Sequence, residues 1–125
     1  MAIAFDAATT SGNGGSVTSN TYSHTCTGSN RMLLVFGYAR GSGRTASATY
    51  NGVGMTQIGT QVSTGNGAPY YDKIYAFYLL NPDSGTHDVV VTYTGGADYQ
   101  SSDADSYTGV GSFDQVNEIT MASSN

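Results

Sequence analysis

Charged residues are scarce in this sequence. They make up 10% of the 125 residues, against roughly 25% in ordinary globular proteins. Only four are basic, namely Arg31, Arg40, Arg44 and Lys73, and the net charge is −5. The chain therefore lacks a basic cluster that neutralises several phosphates, which argues against nucleic acid and against an anionic membrane surface as partners.

Cysteine, tryptophan and long hydrophobic runs are also missing or nearly so. Cys26 is the single cysteine, so no disulfide forms within the chain, and no apolar run approaches the roughly 20 residues of a membrane span. The first residues, Met-Ala-Ile-Ala-Phe-Asp, lack the features of a secretory signal. These absences predict folding in a reducing cytoplasm, whereas the Gly/Ser/Thr-rich composition is typical of an external protein. A virion protein folds in the host and later faces outward, so it fits both expectations.

The longest nearly unbroken apolar run is Arg31-Met-Leu-Leu-Val-Phe-Gly-Tyr38. A short continuous run of this kind is typical of a strand that is buried on both faces. We predict that it is a central strand and that residues 73–80, which are also apolar on both sides, form its partner. A charge buried in such a strand has no partner, so we expect Leu34→Asp to prevent folding.

Short β-prone segments separated by Gly-rich turns fill the rest of the chain, and none shows a helical period. We expect a single domain over residues 1–125, all-β, built as an antiparallel β-sandwich of the jelly-roll type. An immunoglobulin-like sandwich is the alternative, although the chain lacks the tryptophan and the second cysteine of a true immunoglobulin domain.

Several local elements are predicted from turn chemistry and alternation. Asn51-Gly52 predicts a type I′ hairpin turn, after which residues 53–62 return as a strand. Residues 2–6 predict a first strand with Ile3 and Phe5 pointing inward, and residues 11–16 a flexible loop. Residues 113–121 predict a last strand.

No catalytic constellation stands out. His24 and His87 are the only histidines, and His87 and Asp88 face opposite sides of a strand, so they do not form the base–carboxylate pair of a hydrolase. Tyr22, His24 and Cys26 share the inward face of their strand by period two. Core packing is therefore the expected role of Cys26, and we predict that the protein is not an enzyme and uses no cofactor.

Two residue groups are candidates for binding. The acidic residues Asp98, Asp103 and Asp105 provide oxygen ligands suited to Ca²⁺, although their spacing does not match an EF-hand loop and a charged edge strand is the simpler interpretation. The ten tyrosines are suited to core packing, to subunit interfaces or to a sugar-binding platform, because each has an apolar body and a polar tip. The interaction candidates among them are Tyr70, Tyr71 and Tyr99.

Four parts of the sequence carry a resemblance to a known group of proteins. They are Thr27-Gly-Ser-Asn-Arg-Met-Leu-Leu-Val-Phe-Gly37; Thr49-Tyr-Asn-Gly-Val-Gly-Met-Thr56; Phe77-Tyr-Leu-Leu-Asn-Pro-Asp-Ser-Gly-Thr-His87 with Val89-Val-Val-Thr92; and Ser106-Tyr-Thr-Gly-Val110. Their strand and turn patterns resemble poorly characterised Gly/Ser/Thr-rich β-sandwich structural proteins of tailed bacteriophages, over about residues 2 to 117. The resemblance implies a role in the virion, such as capsid decoration, head fibre or tail fibre. It carries over no site residues.

The leading hypothesis is therefore a structural protein of a phage virion. It would act as a homo-oligomer through contacts with other virion proteins, either the major capsid protein or a tail protein, after assembly in the host cytoplasm. A carbohydrate-binding module or a receptor-binding domain with a glycan ligand is the alternative, motivated by the Tyr/Asn/Asp-rich second half. Neither hypothesis requires nucleic acid, a membrane or a metal.

Overall fold

The computed structural model describes residues 2–15, 17–41, 44–63, 71–97 and 99–112. Within these ranges the chain forms only strands, turns and irregular segments, and no helix. The strands are β1 (Ala4–Gly14), β2 (Val17–Cys26), β3 (Met32–Arg40), β4 (Thr45–Tyr50), β5 (Val53–Gly54), β6 (Thr56–Gln57), β7 (Val62–Ser63), β8 (Asp72–Leu80), β9 (Gly85–Ala97) and β10 (Tyr99–Thr108).

The strands form two antiparallel sheets that pack face to face. Sheet A has the order β1-β10-β3-β8-β6, and β7 also pairs with β8. Sheet B has the order β2-β9-β4-β5. The predicted all-β antiparallel sandwich is confirmed.

The strand pairing is that of one long hairpin rolled into two sheets. Strand β1 pairs with β10, β2 with β9, β3 with β8 and β4 with β5. The roll is closed within the sheets by the pairs β10·β3 and β9·β4. This nesting of antiparallel pairs is the jelly-roll arrangement.

The predicted pairing of the two apolar runs is confirmed residue by residue. In the antiparallel register Leu33 lies opposite Leu79 and Val35 opposite Phe77, and Leu33 and Val35 have no exposed surface. Strand β3 lies between β10 and β8 in the middle of sheet A. Leu34, however, is only half-buried on the opposite face of the sheet, so a charge at this position is not enclosed by the core.

The core lies between the sheets and is rich in tyrosine. Tyr50, Tyr75 and Tyr93 are at most 1% exposed. The hydroxyl of Tyr75 donates to the main-chain oxygen of Arg44 at 2.7 Å, and that of Tyr50 to the main-chain oxygen of His24 at 3.0 Å. These bonds satisfy the polar tips, as buried polar groups require. These three tyrosines are therefore core residues.

The predicted hairpin at Asn51-Gly52 is confirmed, because both residues have positive φ, 48° and 76°, and Tyr50 pairs with Val53. The strand predicted for residues 53–62 is broken instead. Strand β5 stays in sheet B beside β4, whereas β6 and β7 pair with β8 in sheet A. The chain therefore crosses between the sheets near Met55.

The first strand differs from its prediction in three ways. It is longer, since residues 11–14 belong to β1 rather than to a loop. Ile3 and Phe5 point outward and are 66% and 62% exposed. The register on β10 shifts between Phe5 and Ala7, so Asp6 is the extra residue of a bulge, a feature that re-aims a side chain. The predicted strand at residues 113–121 lies outside the described residues.

Candidate functional site

The solvent side of sheet A is apolar along its central strands. In consecutive rows across the sheet, Phe5, Tyr107, Met32 and Leu80 lie side by side, as do Leu34 and Tyr78, then Phe36 and Ala76, and then Tyr38 and Ile74. Residues directly opposite each other in a sheet share one face. We call this surface the outer A face, and it comprises Phe5, Met32, Leu34, Phe36, Tyr38, Ile74, Ala76, Tyr78, Leu80 and Tyr107.

Exposed apolar side chains concentrate on sheet A. Among the described residues, the large hydrophobic side chains that are more than about a third exposed lie in strands of sheet A or just before them. The single exception in this part of the chain is Val53, which lies in a strand of sheet B. Phe36 is 38% exposed and Ile74 41%. Phe36, Tyr38, Ile74, Ser101 and Asp103 line a mainly apolar depression of about 270 Å³. The outer A face thus combines an exposed apolar surface with a concave site.

A charged and aromatic cluster closes one end of this face. Arg40 Nε donates to Asp72 Oδ1 at 3.1 Å, and the guanidinium lies 5.7 Å from the centre of the Tyr99 ring. The Tyr99 ring also meets Tyr38 edge-on, with centroids 6.3 Å apart. The hydrogen bond with Asp72 raises the pKa of Arg40 above its usual range.

The three tyrosines predicted for interaction do not form one described cluster. Tyr99 is half-buried under Arg40, so one of its ring faces is covered. Tyr71 is 40% exposed and has a positive φ of 35°. Tyr70 lies outside the described residues.

The solvent side of sheet B has a different chemistry, because nearly every position carries a hydroxyl. Thr25 lies opposite Thr86, Ser23 opposite Asp88, and Thr92 between Ser19 and Ser47. The Thr25 and Thr86 hydroxyls are 2.7 Å apart. We call this surface the outer B face, and it comprises Ser19, Thr21, Ser23, Thr25, Thr45, Ser47, Thr49, Thr86, Asp88, Val90, Thr92 and Thr94.

Between the sheets, a buried polar network joins β1, β2 and β10. His24, which is 1% exposed, places Nε2 2.9 Å from Ser106 Oγ and Nδ1 2.9 Å from Thr9 Oγ1. Ser106 Oγ in turn donates to Asp6 Oδ2 at 2.7 Å. Asp6 also accepts from the main-chain nitrogen of Thr27 at 2.9 Å and from the Thr27 hydroxyl.

The network contains serine, histidine and aspartate, but in an order that does not activate the serine. The Ser106 hydroxyl donates its hydrogen bond to the carboxylate of Asp6, so His24 Nε2–H must be the donor to Ser106 Oγ. His24 Nε2 therefore has no lone pair with which to accept the Ser106 proton. A hydrolytic triad needs the histidine between the serine and the carboxylate. Ser106 also has no exposed surface, so the network is suited to holding strands together.

Cys26 is buried beside this network. It has no exposed surface, and burial raises the pKa of its thiol. A raised pKa keeps sulfur in the unreactive thiol form. The inward placement of His24 and Cys26 that alternation predicts is therefore confirmed, and both residues have a structural setting.

Asp103 and Asp105 lie on the outward side of β10, beside the outer A face, as the period-two pattern predicts. Asp98, the third residue of the calcium candidate, lies outside the described residues. Within the described ranges, no group of three or more His, Cys, Asp or Glu side chains is placed to hold a metal ion.

Sequence reasoning missed the Asp6–Ser106–His24 network. Asp6 and Ser106 are 100 positions apart, and the bulge that turns the Asp6 side chain toward Ser106 leaves no periodic signal. The one available signal was a carboxylate that interrupts an otherwise uncharged Ala/Thr-rich strand.

The sequence matches no family model, and no curated protein and no solved structure matches it. Among the residues that the structure describes, no helix is long and apolar enough to cross a membrane.

Proposed function

We propose that the protein is a structural component of a bacteriophage particle that decorates or cements the capsid, or forms part of a fibre, through the outer A face. One observation carries the proposal: β3 and β8, the central pair of sheet A, present apolar side chains to solvent as well as to the core. Contiguous exposed apolar surface is typical of a protein–protein contact. Low charge and the resemblance to phage structural proteins support the same role.

The charges beside the outer A face favour a different protein, rather than a second copy, as its occupant. Asp103 and Asp105 border the face, and no basic side chain of the described residues forms an ion pair with them. Arg31 and Arg44 instead donate to main-chain oxygens. We therefore expect a partner surface with an apolar centre and a Lys/Arg rim, because opposite charges fix the register of a contact.

The experiment is a binding assay on particles of the phage that encodes the chain. The purified protein is mixed with expanded capsids and with tails, and bound protein is measured after sedimentation. We expect saturable binding to one of them, and we expect Phe36→Ser combined with Ile74→Ser to reduce the affinity at least about tenfold. Val53→Ser, which changes an exposed valine of sheet B, is the matched control and is expected to bind like the unchanged protein.

Light scattering identifies the occupant. A protein that stays monomeric alone and binds particles through the outer A face supports the proposal. Self-association that Phe36→Ser and Ile74→Ser abolish would instead assign this face to a second copy. A chain that binds neither capsids nor tails would overturn the virion role, and so would a gene without neighbouring capsid, portal or tail genes.

A further inference from the structure

A depression of about 430 Å³ opens at one end of the outer B face, where the β4–β5 hairpin meets the start of β9. Its volume falls within the range of small-molecule sites, roughly 300–1,000 Å³. Its lining residues include Thr49, Asn51, Thr86, His87, Asp88 and Val90.

Hydrogen-bond acceptors are concentrated in this depression. Asp88 accepts from Ser23 Oγ through Oδ1 at 3.3 Å, and within the described residues its Oδ2 accepts no hydrogen bond. The Thr49 and Thr86 hydroxyls line the depression as well, and a hydroxyl oxygen accepts hydrogen bonds through two lone pairs. Such acceptors are best satisfied by a ligand that brings several O–H donors.

Contacts around the depression hold its polar groups in place. Asn51 adopts φ 48°, and its main-chain nitrogen donates to the main-chain oxygen of Asp88 at 3.0 Å. Its side-chain nitrogen donates to Asp83 Oδ2 at 2.8 Å. The His87 ring packs edge-on against Tyr50, with centroids 5.6 Å apart. A site whose side chains are already oriented loses less entropy when a ligand binds.

The charges around the depression narrow the class of ligand. Asp88 lines it and Asp83 lies beside it, whereas no Lys or Arg is among its lining residues, so anions are repelled. Metal ions are disfavoured too, because the described residues contain no cluster of three ligating side chains. Val90 adds an apolar patch to an otherwise polar lining. Hydroxyl donors together with an apolar C–H surface are the features of a sugar ring.

From this arrangement we propose that the depression binds one pyranose residue of a neutral glycan. Asp88 accepts hydrogen bonds from sugar hydroxyls, Thr49 and Thr86 exchange hydrogen bonds with them, and Val90 contacts the C–H side of the ring. The neighbouring hydroxyls of the outer B face extend the contact along the glycan chain. The site is on the opposite sheet from the outer A face, so it does not depend on the virion role.

The test begins with an array of neutral, acidic and amino glycans and continues with NMR titration of the ¹⁵N-labelled protein by the simplest neutral sugar that binds. We expect chemical-shift changes centred on residues 49–52 and 86–90. Asp88→Ala is expected to weaken binding at least about tenfold, whereas Asp103→Ala, the matched carboxylate of sheet A, is expected to leave it unchanged.

Three results would overturn the proposal. The first is an array without any bound neutral glycan. The second is a set of shift changes centred on Phe36, Tyr38 or Tyr99, which would place the glycan on the outer A face. The third is binding that requires an amino group on the ligand, since this would make Asp88 and Asp83 a cation site. Thermal melting of Asp88→Ala shows that the variant is folded.

Discussion

His24 and Ser106 join the two sheets of the sandwich across its interior. The nitrogen Nε2 of His24, on β2 of sheet B, lies 2.9 Å from Oγ of Ser106, on β10 of sheet A. Because Ser106 donates its proton to Asp6, the histidine is the donor in this bond. One serine thus connects a buried imidazole to a carboxylate at a bulge in the edge strand β1.

Replacing the connecting serine should destabilise the fold. In Ser106→Ala the His24 Nε2–H loses its acceptor inside the protein, and an unsatisfied buried donor costs about 1–3 kcal/mol. Asp6 is less affected because it keeps its two bonds from Thr27. Urea denaturation should show a lower midpoint with an unchanged slope.

Ser23→Ala is the matched control for this measurement, because Ser23 is exposed on the outer B face. Its free energy of unfolding should stay within about 0.5 kcal/mol of the unchanged protein. Equal effects of the two substitutions would show that the buried network does not stabilise the fold.

The same network predicts a loss of stability in mild acid. Burial lowers the pKa of His24 below its ordinary value of 6.5 and outweighs the opposite effects of Asp6 and Asp105. Below pH 6.5 the unfolded chain therefore binds a proton that the folded chain does not, so the free energy of unfolding falls as the pH falls toward the folded pKa. Above pH 6.5 this effect is absent.

His24→Gln isolates the histidine, because the glutamine amide keeps a donor near the position of Nε2. The free energy of unfolding, measured from pH 8 to pH 5, should depend less on pH in this variant. An identical pH dependence in the unchanged protein and in His24→Gln would show that His24 does not cause the loss of stability in mild acid.

Asp6 affects the free energy of unfolding in a separate, more acidic pH range. Although burial alone raises its pKa, the bonds from Thr27 and Ser106 outweigh burial and lower it below 3.8. Its stabilising effect is thus complete above pH 3.8 and is lost as the pH falls through the folded pKa. Asp6→Asn should remove this second, acidic decline in the free energy of unfolding.

The parts of the fold that could be predicted are those that local chemistry determines. The apolar alternation of β3 and β8 determines which side chains face the core, and Asn51-Gly52 determines a turn. The sequence pattern does not distinguish the outer A face from the core. Leu33 and Leu34 are equally apolar, although only Leu33 is enclosed in the structure. The network and the outer B depression depend on pairing between distant strands, which no short pattern encodes.

Adjacent leucines in β3 should respond oppositely to the same substitution, because neighbouring residues of a strand face opposite sides. Leu33→Lys places a charge in the core and should prevent folding. Leu34→Lys places the charge on the outer A face, opposite Asp105, and should fold. Leu34→Asp should be less stable than Leu34→Lys, because like charges directly opposite repel.

Circular dichroism and thermal melting distinguish these leucine variants. The expected order of melting temperature is Leu34→Lys above Leu34→Asp, with no cooperative transition for Leu33→Lys. If Leu34→Lys were also unfolded, the outer A face would have to be as enclosed as the core.

Gly37 of sheet A lies close to Tyr93 and Val91 of sheet B, and the effect of its replacement should be coupled to Tyr93. A Cβ at Gly37 would lie 3.0 Å from the Tyr93 hydroxyl oxygen and 3.4 Å from a methyl carbon of Val91. Because the φ of Gly37 is not positive, the cost of Gly37→Ala is steric crowding, about 1–3 kcal/mol. Tyr93→Phe removes the crowding oxygen and loses only a long hydrogen bond, 3.5 Å, to the main-chain oxygen of Ser101. In a double-mutant cycle measured by urea denaturation, Gly37→Ala should therefore cost less in the Tyr93→Phe background, with a coupling of about 1 kcal/mol.

Gly52→Ala is the control, since Gly52 has no atom within 4 Å of an added Cβ and its positive φ alone sets the cost. A Gly37→Ala cost that is the same in both backgrounds would mean that Val91, not the tyrosine hydroxyl, sets the distance between the sheets.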